Sequence, residues 1–431
     1  MMPKASQFGK VNIKAAVGLL ALSVLTAVFY FLGIEWLVVA MSIAAYVAAA
    51  IYDPFVCLGV NIVTRLFTSE ILDSSIMIIL GMIVIVSFVV HNMKNFKRLN
   101  QGAVLLISLV LITVSFCFGY DTSLNSAVQM LLCIVRVVLL FNVADYKNLP
   151  IVIMAYMVNG VGMIVYFLMC YIFSSNSLLY GRLAFEGSIV TAAVTIAVPF
   201  ILILSSELEG IRLFENLSLK AAEYIFLAAA IVVMILTVKR VVIIAVIAAV
   251  IVQGFITKNR SRYHRFMVPV IIVIVIVVAA LIGVNSLRVS RLFSTSEYAS
   301  GNGRTTLWAD HFKWMFENGP LKILFGAGPG DTGRTVSSGN YAHSTYLDFL
   351  FSYGIVGFAV MLYFDVKMFI KTVKVRNVVC TTAFITSALI YAGTGMAVNT
   401  AMFTLQAVLF LYACADEQKY AELRQLKLKE G

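Results

Sequence analysis

Apolar residues along this chain fall into long runs, and polar residues are largely confined to the short segments between them. A helix needs about 20 apolar residues to cross a bilayer, and most of these runs come close to that length. Thirteen runs are clear, near residues 13–32, 34–51, 75–91, 103–118, 124–142, 150–173, 189–205, 221–238, 240–257, 266–284, 346–366, 378–396 and 399–415. The pattern predicts an all-α fold, a polytopic bundle of transmembrane helices.

A shorter apolar run covers residues 54–68 and contains Asn61 and Arg65. As a helix it would be only about 23 Å long, which is compatible with an interfacial or re-entrant helix as well as with a further span. The predicted number of spans is therefore thirteen or fourteen.

The composition agrees with a membrane protein. Hydrophobic residues make up 61% of the 431 residues and charged residues only 12%, whereas a soluble domain has about twice that charged fraction. Soluble enzymes, disordered chains and disulfide scaffolds are thereby excluded. The net charge of +11 would suggest nucleic acid as the partner of a soluble protein. Here it indicates lysines and arginines retained on the cytoplasmic side, and no nucleic-acid partner is expected.

The distribution of these basic residues predicts the orientation, because cytoplasmic segments carry an excess of them. With fourteen spans and both termini in the cytoplasm, 21 of the 32 basic residues are cytoplasmic and 9 are outside. Thirteen spans give the same orientation from the fourth span onward. The predicted regions are N-terminal transmembrane helices in 1–284, a large extracytoplasmic loop in 285–345, C-terminal transmembrane helices in 346–416 and a cytoplasmic tail in 417–431.

Short helices are predicted within the long loop. After the turn signal Gly301-Asn302-Gly303, apolar and aromatic residues from Leu307 to Phe316 recur at helical spacing, with Thr305 as the expected cap and Asn318-Gly319-Pro320 as the stop. This amphipathic helix should pack on the membrane domain or lie at its interface. The glycine-rich segment 326–330 is expected to be a flexible connector.

Thr345 and Asp348 have the spacing of a capping box that opens the next span. This spacing places His343 just before a helix N-terminus, where the helix dipole favours the neutral imidazole. A neutral histidine at the membrane boundary can accept a proton from a hydroxyl group. The plainer interpretation of His343 is a polar residue at the entrance of a span.

Several basic residues are predicted to lie outside the membrane or within it. Arg182, Arg304 and the pair Lys239-Arg240 are extracytoplasmic and together would suit a diphosphate. The pair could instead be an interfacial turn whose side chains extend into the headgroups. For Arg136, inside a predicted span, extension toward the membrane surface or an internal ion pair is favoured over a functional role. The other three histidines (His91, His264 and His311) are interpreted as structural or solvated.

No nucleotide-binding, metal-binding or dithiol motif occurs in the sequence. Any chemistry is therefore expected to need neither a metal nor a cofactor, and to rely on arginine to neutralise negative charge.

Four short motifs follow one another in and just after the loop. They are Gly303-Arg304-Thr305-Thr306-Leu307-Trp308, Leu324-Phe325-Gly326-Ala327-Gly328-Pro329, Ala342-His343-Ser344-Thr345-Tyr346-Leu347 and Tyr353-Gly354-Ile355-Val356-Gly357. The ordered series resembles the bacterial O-antigen ligase and Wzy-type polysaccharide polymerase superfamily. In that superfamily a large outer loop carries Arg-x-x-x-Trp, a Gly-x-Gly turn and a histidine before the next span.

The resemblance implies glycosyl transfer between lipid-linked saccharides outside the bacterial cytoplasmic (inner) membrane. It implies that Arg304, Arg240 and Arg182 hold the donor diphosphate and that His343 orients or deprotonates the acceptor hydroxyl. The implied partners are undecaprenyl-diphosphate-linked oligosaccharide, membrane lipids, and a flippase and a chain-length regulator of the same pathway.

Polymerisation of repeat units for O-antigen, capsule or exopolysaccharide is the first interpretation, since nothing in the sequence indicates a lipid A acceptor. An O-antigen ligase shares the same motifs and is the alternative. A lipid-linked oligosaccharide flippase, which belongs to another class, usually shows two repeated halves, and no repeat is visible here.

The predicted orientation can be tested by labelling. Single cysteines introduced at Ser300 and at Ser261, in a chain without its own cysteines, should react oppositely with a membrane-impermeant maleimide on intact cells. Ser300 should be labelled because it lies in the outer loop, and Ser261 should be protected until the membrane is opened. Labelling of position 261 alone would place the loop in the cytoplasm and contradict the proposed chemistry.

Overall fold

The computed structural model describes residues 8–93, 102–119, 123–144, 147–173, 178–179, 182–183, 189–217, 220–237, 240–257, 260–261, 263–264, 304–329, 342–375, 377–394 and 404–414. The predicted span 266–284, the loop residues 285–303 and 330–341, Lys239 and the tail 417–431 lie outside the described residues.

Helices make up nearly all of the described chain, and the predicted all-α fold is confirmed. The helices are α1 (Ile13–Phe31), α2 (Glu35–Tyr52), α3 (Pro54–Ile71), α4 (Ser74–Asn92), α5 (Gly102–Phe118), α6 (Leu124–Val143), α7 (Leu149–Phe173), α8 (Ile189–Glu209), α9 (Lys220–Thr237), α10 (Arg240–Ile256), α11 (Arg304–Glu317), α12 (Pro320–Phe325), α13 (Thr345–Lys374), α14 (Val378–Ala392) and α15 (Thr404–Cys414). Two short strands, β1 (Leu178–Leu179) and β2 (Arg182–Leu183), pair antiparallel between α7 and α8.

Eight of the described helices are long and apolar enough to cross a membrane, namely α1, α2, α3, α4, α6, α7, α9 and α13. The predicted multi-pass architecture is therefore confirmed. The centre of the bundle is α7, which packs against α1, α3 and α8. Its Gly162 lies so close to α1 that an added Cβ would be 2.9 Å from the carbonyl oxygen of Ser23.

Helix α3 resolves the ambiguous run at 54–68. It begins at Pro54, where Asp53 Oδ1 accepts hydrogen bonds from the backbone N–H groups of Phe55 and Val56. It has 18 residues, of which two thirds are buried among α1, α2, α4 and α7. An interfacial helix would leave one face exposed, so that interpretation is wrong. Helix α3 is an additional membrane-length helix, which favours the count of fourteen spans.

Helix α13 is broken at Gly354, whose φ of 65° lies in the left-handed region. The hydroxyl of Tyr346 donates to Asp365 Oδ2 at 3.1 Å, although these residues would be about 28 Å apart along a straight helix. Residues 345–353, here called the folded-back segment, must therefore turn back along the rest of the helix. The prediction of one continuous span at 346–366 is wrong in this respect. The membrane-length part of α13 is the 20-residue stretch 355–374.

The break leaves backbone carbonyl groups without hydrogen-bond donors from the helix. Backbone N–H groups of the loop donate to them instead. Ala327 N–H donates to the carbonyl of Phe351 at 2.7 Å, and Gly328 N–H donates to that of Ser352 at 2.9 Å. The expected flexible connector is thus a structured turn that completes a broken helix. Glycine is required at Gly326 because an added Cβ would lie 2.5 Å from the Ser352 carbonyl.

Two further hydrogen bonds fix the end of the bundle at which the loop lies. Ser123 N–H, just before α6, donates to the carbonyl of Pro329 at 2.8 Å. Asn125 Nδ2 donates to Ser74 Oγ at 2.8 Å, so α4 and α6 begin at the same end. This end, where α3 also terminates, is called the loop end.

The break at Gly354 generates a prediction about stability. Gly354→Ala should lower the free energy of unfolding by about 3 kcal/mol or more, because left-handed backbone and overpacking each cost a few kcal/mol. An added Cβ would lie 2.2 Å from the backbone carbonyl of Leu324. Thermal unfolding of the purified protein in detergent measures the effect.

Two control variants separate the causes. Gly33 has a φ of 72°, whereas the φ of Gly18 does not lie in the left-handed region. At neither position would an added Cβ have another atom within 4 Å. Gly33→Ala should cost about 1 kcal/mol from backbone strain alone, and Gly18→Ala should be neutral or slightly stabilising. Equal unfolding temperatures for the variants at 354 and 18 would contradict the break.

Candidate active site at the start of helix α13

His343 has an unusual backbone conformation. Its φ of 54° makes it the one residue other than glycine with a positive φ in the described ranges. The left-handed region costs an L-residue about 1–2 kcal/mol, and such strain tends to occur at functional sites. The side chain is exposed. His343 therefore combines local strain with access to solvent or to a substrate.

The residue before it, Ala342, is held at both of its backbone polar groups. Its N–H donates to Asp348 Oδ1 at 3.0 Å, and its carbonyl accepts from Trp308 Nε1 at 2.7 Å. Ala342 is fully buried, and the Asp348 side chain is also buried. The direction in which the chain enters His343 is therefore set by two helices, α11 and α13.

Helix α13 begins at Thr345, two residues after His343. The cap is Ser344, whose hydroxyl oxygen accepts from the Leu347 N–H at 3.5 Å. The expected capping box of Thr345 and Asp348 is wrong, because Asp348 reaches Ala342 and Thr345 Oγ1 donates to the carbonyl of Thr394 at 2.8 Å. The predicted position of His343 just before a helix N-terminus is confirmed.

Helix α11 lies on the folded-back segment rather than apart from the bundle. It begins at Arg304, one residue before the expected Thr305 cap, and ends at Glu317 as the Asn-Gly-Pro stop predicted. The buried His311 ring stacks on Phe351 with ring centroids 4.7 Å apart. Met315 is buried in the same apolar cluster. The structural interpretation of His311 agrees with these contacts.

Arg304 shares a helix face with these packing residues. It precedes Trp308 by four residues and His311 by seven, which places all three along one side of α11. Since Trp308 holds the carbonyl next to His343, Arg304 lies one helical turn from that contact. The Arg304 side chain is half-buried, and this burial lowers its pKa. Because an arginine pKa lies so far above neutral, the group stays cationic.

Contacts between backbones bring Arg240 to the same region. Arg240 is the first residue of α10. The next residue, Val241, lies against Gly393, where an added Cβ would be 2.5 Å from its side chain. Gly393 is followed by Thr394, whose carbonyl binds Thr345. The start of α10 is therefore close to the start of α13.

Arg182 is placed less directly. It lies in β2, opposite Leu179 of β1, and β2 contacts α9. Helix α9 leads into α10, which begins at Arg240. By backbone position, the structure brings Arg304, Arg240 and His343 together at the loop end, and it places the backbone of Arg182 beside α9.

A comparison with known families identifies this region. Residues 225–362 match the O-antigen ligase family. The match confirms the resemblance to the O-antigen ligase and Wzy-type superfamily and supports a ligase- or polymerase-type function in general. No curated protein matches the chain in sequence.

The part of the chain that matches the O-antigen ligase family contains Arg240, Arg304 and His343, whereas Arg182 precedes it. The site also involves three residues that the sequence did not single out for it, two of them within the match. Trp308 was visible as part of the Arg-x-x-x-Trp motif, and Asp348 was assigned to the wrong cap. Thr394 lies beyond the match and carried no signal, because its contribution is a backbone carbonyl.

No group of three or more His, Cys, Asp or Glu side chains that could hold a metal ion occurs within the described ranges. The positive charge at this O-antigen ligase-type site comes from arginine.

The strain at His343 leads to a stability prediction. His343→Gly should raise the free energy of unfolding by about 1 kcal/mol relative to His343→Ala, because glycine adopts a positive φ without the steric cost of a Cβ. Thermal unfolding of the two purified variants measures the difference. Both variants lack the imidazole, so the comparison isolates the backbone. Equal stability would show that the conformation at position 343 is not strained.

Proposed function

We propose that this protein is a glycosyltransferase that polymerises polyprenyl-diphosphate-linked oligosaccharide repeat units at the outer face of the bacterial cytoplasmic membrane. The observation that carries the proposal is the strained, exposed His343 at a helix N-terminus, with Arg304 one helical turn from the tryptophan that holds its neighbour. The proposal includes the division of the chain into N-terminal helices (1–284), an outer loop (285–345), C-terminal helices (346–416) and a tail (417–431), with both termini in the cytoplasm.

The chemistry follows from the compartment. Nucleotide sugars are not expected outside the cytoplasm, so the donor must carry its own leaving group, and a polyprenyl diphosphate provides one. The acceptor hydroxyl attacks the anomeric carbon while the C–O bond to the diphosphate breaks, which inverts the anomeric centre. Arg304, Arg240 and Arg182 hold the diphosphate and stabilise the negative charge that develops on it. His343 takes the proton from the acceptor hydroxyl.

A cavity within the bundle supports a lipid-linked substrate. It has a volume of about 200 Å³, and α5, α6, α13 and α15 form its nearly apolar walls. Its lining includes Tyr353 and Gly357, on either side of the break in α13, and Phe410 of α15. In this proposal the isoprenoid tail enters between these helices while the diphosphate stays near the loop end.

Ligation is the second candidate, because the matching family is described as O-antigen ligase. The length of surface glycan in a deletion strain separates the two. Glycan limited to a single repeat supports polymerisation, and full-length polymer that is not attached to its acceptor supports ligation. Accumulation of lipid-linked repeats on the cytoplasmic side would contradict both and would indicate a flippase.

Substitution of His343 tests base catalysis. His343→Ala should lower turnover by about 10²–10⁴-fold, the usual contribution of a general acid–base group. Binding of the lipid-linked donor should change little, since the arginines remain. In the unsubstituted protein the rate should fall as the pH is lowered, because a protonated imidazole cannot accept the hydroxyl proton. That acid limb should be absent in the variant.

The matched variant is His343→Gln, which can form hydrogen bonds but accepts no proton near neutral pH. Near-normal turnover in this variant would show that His343 positions the acceptor. Near-normal turnover in His343→Ala would remove the residue from the mechanism.

Substitution of Arg304 tests the diphosphate site. Arg304→Ala should abolish polymer formation without lowering the amount of protein in the membrane. Arg304→Lys should restore part of the activity, since it keeps the charge but loses the two-pronged geometry. Burial lowers the pKa of a cation at this position, and lysine starts from a lower pKa than arginine. The activity of the lysine variant should therefore decline at a lower pH than that of the unsubstituted protein as the pH is raised.

A further inference from the structure

Two arginines lie together inside the helical bundle, on α3 and α6 rather than on the helices that carry Arg240 and Arg304. Arg136 of α6 has only 3% of its surface exposed, and its Nη1 donates to Asn61 Oδ1 of α3 at 3.2 Å. Arg65, one helical turn after Asn61, is half-buried and lies within electrostatic range of Arg136. The Arg136 side chain therefore points into the bundle rather than extending toward the membrane surface.

Both residues lie well below the loop end. Arg65 is six residues, about 9 Å, before the end of α3, and Arg136 is twelve residues, about 18 Å, after the start of α6. These helix ends are neighbours, as the hydrogen bond between Asn125 and Ser74 shows. The pair therefore lies within the thickness of the hydrocarbon core.

Their charges are not balanced by acidic side chains in the described part of the chain. The ion pairs found there join other residues, such as Lys220 with Glu207 and Lys10 with Glu215. Two like charges at membrane depth repel each other and lack hydration, so each raises the cost of burying the other. A pair of this kind needs an anion.

The hydrogen-bond donors of Arg136 are also incompletely used. Its Nε is buried and has no hydrogen-bond partner. The neighbouring amide cannot balance the charge of Arg136, because Asn61 is neutral. Its Nδ2 donates to the hydroxyl of Tyr46 at 2.8 Å. Gly81 of α4 lies beside Arg136, since an added Cβ there would be 3.8 Å from Nη2.

We propose that Arg65 and Arg136 form a binding site for a phosphate or diphosphate group inside the bundle, separate from the site at His343. A group with about two negative charges neutralises both guanidinium groups, and its oxygens match the forked donors of arginine. A single carboxylate would neutralise only one of them. The group is carried either by an isoprenoid lipid that enters from the bilayer or by a free ion.

The experiment uses the full-length protein in phosphatidylcholine nanodiscs, with Arg304→Ala as the background so that the loop site contributes less to binding. Thermal unfolding is followed while inorganic diphosphate or farnesyl diphosphate is added. A ligand that binds the folded protein raises the unfolding temperature in a concentration-dependent way. Arg65→Gln removes one guanidinium group at a half-exposed position, and Lys14→Gln removes an equivalent charge from an exposed position on α1 as a control.

The affinity should fall about tenfold or more in Arg65→Gln, as expected for the loss of one charge-assisted contact, and should not change in Lys14→Gln. Without ligand, Arg65→Gln should be at least as stable as its background, because repulsion is removed. Stabilisation by farnesyl diphosphate alone supports a lipid source, and stabilisation by both compounds supports a free ion. Absence of stabilisation, or equal stabilisation in Arg65→Gln, would overturn the proposal. Neither result depends on whether Arg304 and His343 perform glycosyl transfer.

Discussion

The break of helix α13 at Gly354 is the constraint on which the rest of the loop end depends. A helix interrupted inside a membrane protein exposes carbonyl groups that no lipid can satisfy. The N–H groups of Ala327 and Gly328 satisfy two of them, and this fixes the loop against the bundle. Because the turn at 326–329 is fixed, the short connections that lead back from it to α12 and α11 restrict where these two helices can lie. The contact between Trp308 and Ala342 then follows from the same arrangement.

The position of His343 is therefore set more by contacts that hold the neighbouring residues than by contacts of its own side chain. Asp348 and Trp308 act on the two polar groups of Ala342, and the helix that follows is held through Thr345 and Thr394. Such a scaffold fixes the backbone at His343 while the side chain stays exposed.

The sequence was sufficient to predict the elements that depend on local pattern. The helices, the start of α3 at Pro54, the end of α11 before Gly319 and the place of His343 all follow from composition, periodicity and turn residues. The folded-back segment could not be predicted, because residues 346–366 are apolar on both sides of Gly354 and resemble a continuous span. The roles of Gly326 and Gly393 were also hidden, since each depends on a backbone that is distant in sequence. The direction of the Arg136 side chain could not be predicted for a similar reason, because its partner Asn61 lies 75 residues away.

The contact between Tyr346 and Asp365 has a consequence for the order of biogenesis. Asp365 lies near the middle of the stretch 355–374, so this segment enters the membrane with a carboxyl group that has no hydrogen-bond donor beside it. Its donor, Tyr346, comes from the folded-back segment and can arrive only after the chain has turned back at Gly354. Completion of the transmembrane helix and assembly of the loop are thereby the same late event.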